Sequence, residues 1–170
     1  DFYSYRQKPD CTMAAPLGSH VNPHTAGGIL EGGYLGFAEL QYAHMPLPGE
    51  SLVAFLSDGA AEEQRGSDWV PRWWRAEDCG NVMPVMIANG RRSEQRTELG
   101  TREGLERFET HLEHRGFVPF RFDGRDPAAF VCALYEMEQA LTTNGEAALR
   151  GESSYPVRLP YGIAETTKAY

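Results

Sequence analysis

The chain has 170 residues, enough for one domain of ordinary size with a sizeable core. Hydrophobic content of 41% and charged content of 24% are those of a globular protein, and the net charge of −8 argues against nucleic acid and anionic membrane surfaces as partners. No apolar stretch approaches the ~20 residues of a membrane-spanning helix.

Residues 1–30 are rich in Pro, Gly and His and read as an ordered loop reaching over a site. From Gly32 to Met45 the apolar positions suit a helix, opened by glycines and stopped by Pro46. A strand is expected over 51–56, ending at Asp58-Gly59, and a helix opens at Ala60 and runs to Arg65. Glu62 and Glu63 would then favour its positive end. Trp69, Trp73 and Trp74, beside Arg72 and Arg75, could form a nucleic-acid stacking platform, but near-helical aromatics more often pack on a core or a partner domain.

The run Val82-Met-Pro-Val-Met-Ile-Ala88 reads as a second buried strand, ending at Asn89-Gly90. The polar stretch after it reads as a solvated loop. A helix follows from Thr101 through His114, ended by Gly116, then a short strand Phe117-Val-Pro-Phe120. Asp126-Pro127 opens another helix to Thr142, and Tyr155-Pro-Val-Arg-Leu159 reads as the last strand, before a turn at Pro160-Tyr161-Gly162. Strand and helix alternate throughout, so the expected fold class is α/β, a doubly wound, mostly parallel sheet.

Cys11, Cys79 and Cys132 are odd in number, widely separated and without a Cys-x-x-Cys pair. They indicate neither a disulfide framework nor a cysteine zinc site, and fit a reducing, cytoplasmic setting. Cys132 reads as a small core residue. His20 and His24 have zinc spacing for a helix, but Pro23 between them argues against one, and His111 and His114 read as solvated. No Gly-x-Ser-x-Gly elbow supports a Ser/His/Asp triad. Both ends of the chain read as cut from a longer sequence.

Open α/β sheets bind ligands at the carboxyl ends of their strands. Asp58 and Asn89, each at such an end, offer hard oxygen ligands for Mg²⁺ or Ca²⁺, while Gly59 and Gly90 let the backbone pass close to a bulky group such as a diphosphate. Asp-Gly is also a common turn and Asn-Gly the commonest hairpin turn, so these two runs alone serve either reading.

Further segments carry a resemblance. Gly18-Ser-His20-Val-Asn-Pro23-His24-Thr-Ala-Gly27 leads into Glu31-Gly32-Gly33-Tyr34-Leu35-Gly36, and Ser57-Asp58-Gly59, Asn89-Gly90 and Gly116-Phe-Val-Pro-Phe120 follow in order. The chain resembles the phosphoketolase family of thiamine diphosphate enzymes over most of its length. What the resemblance implies is the diphosphate-binding domain, residues 1–170, as a fragment or subunit of a larger protein, with 1–30 as an active-site loop region. Asp58 and Asn89 would be side-chain metal ligands and Arg91 would give its backbone carbonyl. Gly59 and Ala60 would offer backbone amides to the diphosphate, Gly33 and Leu35 would pack on the cofactor's ring system, and His20 would stand near the reacting carbon. The implied cofactors are thiamine diphosphate and Mg²⁺, with Ca²⁺ as the alternative ion.

The implied reaction cleaves a ketose phosphate, using inorganic phosphate, to acetyl phosphate and an aldose phosphate. A transketolase-like two-carbon transfer is the nearest rival, and a degenerate binding or structural subunit the alternative of another class. The family's Gly-Asp-Gly-Glu-Ala-Glu-Thr-Gly reads Ser57-Asp58-Gly59-Ala60-Ala61-Glu62-Glu63-Gln64 here, which keeps Asp58 and Glu62 and with them the implied metal binding, and Tyr161 replaces a lysine expected near the last strand. The pyrimidine-type domain and its activating glutamate are missing. The chain alone should therefore not catalyse, and is expected to act with such a domain in a homodimer or heteromer, with the tryptophan cluster as a candidate contact face.

Overall fold

The computed structural model describes residues 51–62, 75–77, 81–92, 94–153 and 155–168. His20, Gly33, Leu35, the helix expected over 32–45 and the tryptophan cluster lie outside the described residues.

Strands β1 (Leu52–Ser57), β2 (Val82–Ala88), β5 (Phe117–Asp123) and β6 (Leu159–Glu165) form a four-stranded sheet in the order β1-β2-β6-β5. Every pairing in it is parallel. All four carboxyl ends therefore share one edge. A short antiparallel ribbon, β3 (Arg91–Arg92) with β4 (Gln95–Arg96), stands beyond the end of β2. Among the described residues the helices are α1 (Asp58–Glu62), α2 (Arg102–Arg115) and α3 (Pro127–Leu149), with a 3₁₀ turn at Glu98–Gly100.

Side chains alternate faces along a strand, and neighbours on β6 show that both faces of the sheet are covered. The Tyr161 ring packs edge-on against Phe108 of α2 and Phe117 of β5. The next residue, Gly162, faces α3 instead: a Cβ there would lie 3.1 Å from Val85 Cγ2 and 3.2 Å from Met137 Sδ. Helix α2 thus lies on one face and α3 on the other, as a doubly wound sheet requires. The core between them contains Val85, Met86, Met137, Leu141 and Ile163. Each such fully buried side chain contributes about 1.5–3 kcal/mol.

The helix ends follow their capping residues. Thr101 accepts from Gly104 N at the start of α2, and Gly116, at φ 95°, ends it in the left-handed region that favours glycine. Asp126 accepts from Ala128 N at the start of α3, with Pro127 in the first turn.

Several elements differ from expectation. Tyr155-Pro-Val-Arg is not strand, and the turn expected at Pro160-Tyr161-Gly162 is the interior of β6. Pro160 is tolerated at the second position of that strand, and Gly162 makes room for Val85 and Met137 rather than for a turn. Strand β5 continues past Phe120 to Asp123, because β6 offers pairing along its whole length. Helix α3 runs past Thr142 to Leu149: Gly145 and Ala148 extend its buried stripe, so packing overrides the local breaker signal. Cys132 is exposed, one residue off the buried stripe of Ala133, Met137 and Leu141. Helix α1 starts at Asp58, not Ala60, which leaves Glu62 at its end instead of its first turn. His111 and His114 are exposed, as expected.

Candidate functional site

The parallel register carries β1 and β2 to the same edge, with Ser57 opposite Ile87. One residue beyond β1, the Asp58 side chain is fully buried. Its carboxylate accepts three hydrogen bonds: Gly59 N–H to Oδ1 at 2.8 Å, Gly90 N–H to Oδ2 at 2.8 Å and the Thr97 hydroxyl to Oδ2 at 3.0 Å. A buried carboxyl needs such donors, because desolvating it unpaired would cost several kcal/mol. Asp58 thereby ties the end of β1 to the segment that leaves β2.

Asn89 begins that segment. Its Oδ1 accepts from Arg91 N–H at 2.9 Å, while Gly90 takes φ 73°, a left-handed conformation open to glycine. The Arg91–Arg92 and Gln95–Arg96 ribbon then doubles back, and Thr97 N–H donates to Gly90 O at 3.2 Å. Two close approaches confine the return. A Cβ on Gly100 would fall 2.6 Å from Gly90 Cα, and one on Gly104 only 2.0 Å from Glu98 O. The ribbon also lies against α1, where a Cβ on Gly59 would meet Arg92 Cβ at 3.0 Å.

Asp58, Gly59, Asn89 and Arg91 are thus brought to one corner of the sheet, with Ala60 in the helix beside them. Carboxylates and amides offer two lone pairs per oxygen. Asp58 Oδ2 spends both on Gly90 and Thr97, whereas Oδ1 holds a single bond among the described residues, as does Asn89 Oδ1. One oxygen on each residue can therefore still take a hard cation. The Gly59 N–H, a candidate for the diphosphate, donates to Asp58. Among the described residues no cluster of three or more His, Cys, Asp or Glu side chains has metal-binding geometry, so any ion here would draw on amide and carbonyl oxygen as well.

One contributor, Thr97, escapes a reading of the sequence, as does the partner of Glu62, a residue that the family pattern keeps beside Asp58. Thr97, in a stretch expected to be solvated, is buried at 3% exposure, and Glu62 Oε1 accepts from Leu99 N–H at 2.7 Å. The only local signal for either is Leu99, an apolar residue in a run of charge. The neighbouring strand ends are charged. Arg121 bonds Glu165 and reaches Glu109 at 3.4 Å, and the Glu165 hydrogen bond foremost raises the Arg121 pKa. The Arg125 side-chain hydrogen bond holds the Asp123 carboxyl down to about 2. Tyr161 faces α2 within the core, and burial raises its phenol above the ordinary value of 10.

A family model described as the XFP N-terminal domain matches residues 10–146. Among curated proteins, a probable phosphoketolase 2 of Lactiplantibacillus plantarum is 33% identical over 116 residues, 66% of this chain and 14% of that protein. A probable phosphoketolase of Synechococcus elongatus is 28% identical over 162 residues, 91% of the chain and 20% of the relative. A probable phosphoketolase 2 of a Nostoc species is 32% identical over 161 residues, 89% of the chain and again 20% of the relative. The chain spans a fifth or less of the length of these relatives. Among the described residues, no helix is long and apolar enough to cross a membrane.

Proposed function

The chain belongs to the phosphoketolase family, and from that premise we propose that it is the diphosphate-binding part of a thiamine diphosphate- and Mg²⁺-dependent phosphoketolase-like lyase of carbohydrate metabolism. The observation that carries this reading is the meeting of two strand ends on the buried Asp58, with one oxygen lone pair on Asp58 and one on Asn89 left without a partner among the described residues. Asp58, Asn89 and the Arg91 carbonyl would hold the Mg²⁺, or Ca²⁺ in its place. The backbone amides of Gly59 and Ala60 would face the diphosphate. An ion is needed because a diphosphate cannot be buried without neutralisation.

The bound cofactor would supply the electron sink for cleaving a ketose phosphate beside its carbonyl. Gly33 and Leu35 would give it a close, apolar wall. His20 would hydrogen-bond sugar hydroxyls or hold a proton near neutral pH. The substrates of this reading are a xylulose 5-phosphate or fructose 6-phosphate-class sugar and inorganic phosphate. The products are acetyl phosphate and an aldose phosphate. Because the cofactor lies between two domains, a pyrimidine-type domain or subunit would complete the site, in a cytoplasmic homodimer or heteromer.

The test is direct. Assembled with that domain, thiamine diphosphate and Mg²⁺, the protein is expected to release acetyl phosphate from xylulose 5-phosphate. Transfer of a two-carbon unit to an aldose instead would favour the transketolase-like reading.

A degenerate subunit is the second reading, and one feature favours it. The position at which the family resemblance leads one to expect a lysine carries Tyr161, whose ring is committed to the α2 core. Failure of thiamine diphosphate and Mg²⁺ to bind in calorimetry, with the partner domain present, would establish that alternative.

A further inference from the structure

Thr97 and Glu62 belong to no ligand set of the proposed site, yet both hold the segment that carries Asn89. Asp58 and Glu62 stand four residues apart on α1, a spacing that puts them on one helix face. Asp58 takes Gly90 N–H at the start of the segment and the Thr97 hydroxyl at its return, and Glu62 takes Leu99 N–H two residues later. The Thr97 N–H to Gly90 O bond closes the segment on itself. Thr97 does something more. Its hydroxyl and Gly90 N–H saturate Asp58 Oδ2, which leaves Oδ1 as the oxygen with a lone pair to give.

We infer that Thr97 and Glu62 are positioning residues for the metal: Thr97 selects which Asp58 oxygen faces the ion, and Glu62 holds the 89–99 segment so that Asn89 is fixed relative to Asp58. This inference rests on the cofactor reading above. Its physical content is selectivity. Mg²⁺ demands near-ideal octahedral geometry and short bonds, whereas Ca²⁺ accepts longer bonds and variable coordination. A loosened segment therefore harms Mg²⁺ binding more than Ca²⁺ binding, and removing an outer partner of a metal ligand typically costs about 10–100-fold in affinity.

The experiment titrates Mg²⁺ and, separately, Ca²⁺ by calorimetry into the full chain assembled with its pyrimidine-type domain, at saturating thiamine diphosphate. Denaturant unfolding of the metal-free protein is measured alongside. Thr97→Val and Glu62→Ala are each expected to weaken Mg²⁺ binding by about tenfold or more and to lower the Mg²⁺/Ca²⁺ affinity ratio. Thr97→Ser keeps the hydroxyl and Glu62→Gln keeps an acceptor, so both are expected to restore most of the affinity and the ratio. Should Glu62→Ala not fold, Glu62→Asp, one methylene short of Leu99, takes its place. The affinity ratio does not depend on how much of a variant is folded. Variants that lose stability while keeping the parent's Mg²⁺ affinity and ratio would overturn the inference and leave the cofactor reading intact, provided Asp58→Ala abolishes binding. A parent protein that binds neither ion would overturn both.

Discussion

Replacing Asp58 with alanine tests the corner at which β1 and β2 meet. The substitution deprives three donors, Gly59 N–H, Gly90 N–H and the Thr97 hydroxyl, of their shared acceptor. A hydrogen bond to a charged group contributes about 1.5–3 kcal/mol. The loss is not the full total of these, because burying a carboxylate is itself unfavourable and the half-buried Gly90 amide can turn to water. A net cost of about 3–4 kcal/mol remains, centred on the buried Thr97 hydroxyl, which has no such escape. Asp58→Asn keeps the volume but sets an NH₂ group against at least one donor, so it should fall between alanine and the parent. Urea unfolding of the metal-free full chain measures this as a lower midpoint at unchanged slope, and heat as a fall of roughly 10 °C. A cost below about 1 kcal/mol for Asp58→Ala would refute the reasoning, since a carboxylate with two buried donors and a third half-buried cannot be removed so lightly.

Gly90→Ala, at φ 73°, is expected to cost about 1–2 kcal/mol by denaturation, and Gly151→Ala, at φ 70° with no described atom within 4 Å of its Cβ, about the same. Gly100→Ala should cost about 2–3 kcal/mol, because its Cβ would lie 2.6 Å from backbone and the segment must open. Tyr161 ties stability to alkaline pH. Burial raises its folded pKa above the ordinary 10, so the unfolded chain releases the proton first; stability is intact below pH 10 and falls as pH rises beyond it. Absorbance at the tyrosinate band should show this phenol ionising only with unfolding, and Tyr161→Phe should flatten that limb of the pH–stability curve. Cys132 should react with a thiol reagent in the folded protein, and Cys132→Ser should change stability by less than about 0.5 kcal/mol.

What the sequence makes legible depends on which physics each segment expresses. Strands β1 and β2 are plain because both are continuous apolar runs, although β2 is buried while β1, at the sheet's edge, leaves Phe55 exposed; their polar-Gly ends announce the sheet's carboxyl edge. Helix α2 is equally plain, with Thr101 and Gly116 marking both ends. Strand β6 misleads because Pro160-Tyr-Gly162 carries a local turn signal, whereas Gly162 answers to Val85 and Met137, residues far away in the chain. Cys132 misleads for a related reason: its apolar neighbours do not say which side of α3 the sheet covers. At the site, Asp58 and Asn89 can be picked out as oxygen ligands at strand ends. Thr97 cannot, nor can the Leu99 partner of Glu62, since these pairs become neighbours only once the segment folds back.

That folding back bears on how the two functional readings are told apart. The presence of Asp58 does not discriminate between them, because its three hydrogen bonds give it a structural task that a non-catalytic subunit would need equally. Loss of activity in Asp58→Ala would be ambiguous for the same reason, mixing a broken corner with a missing ligand. The discriminating lone pairs are those with no further partner among the described residues, the remaining ones on Asp58 Oδ1 and Asn89 Oδ1. Asn89 is the cleaner probe. Among the described residues its side chain holds only the local Arg91 N–H, so Asn89→Ala should cost about 1 kcal/mol of stability, far less than Asp58→Ala. If the corner holds a metal, Asn89→Ala should weaken Mg²⁺ binding well beyond what that small loss could produce. If thiamine diphosphate and Mg²⁺ bind the parent and Asn89→Ala alike, the ion does not use Asn89, and the ligand set assigned to this corner is wrong.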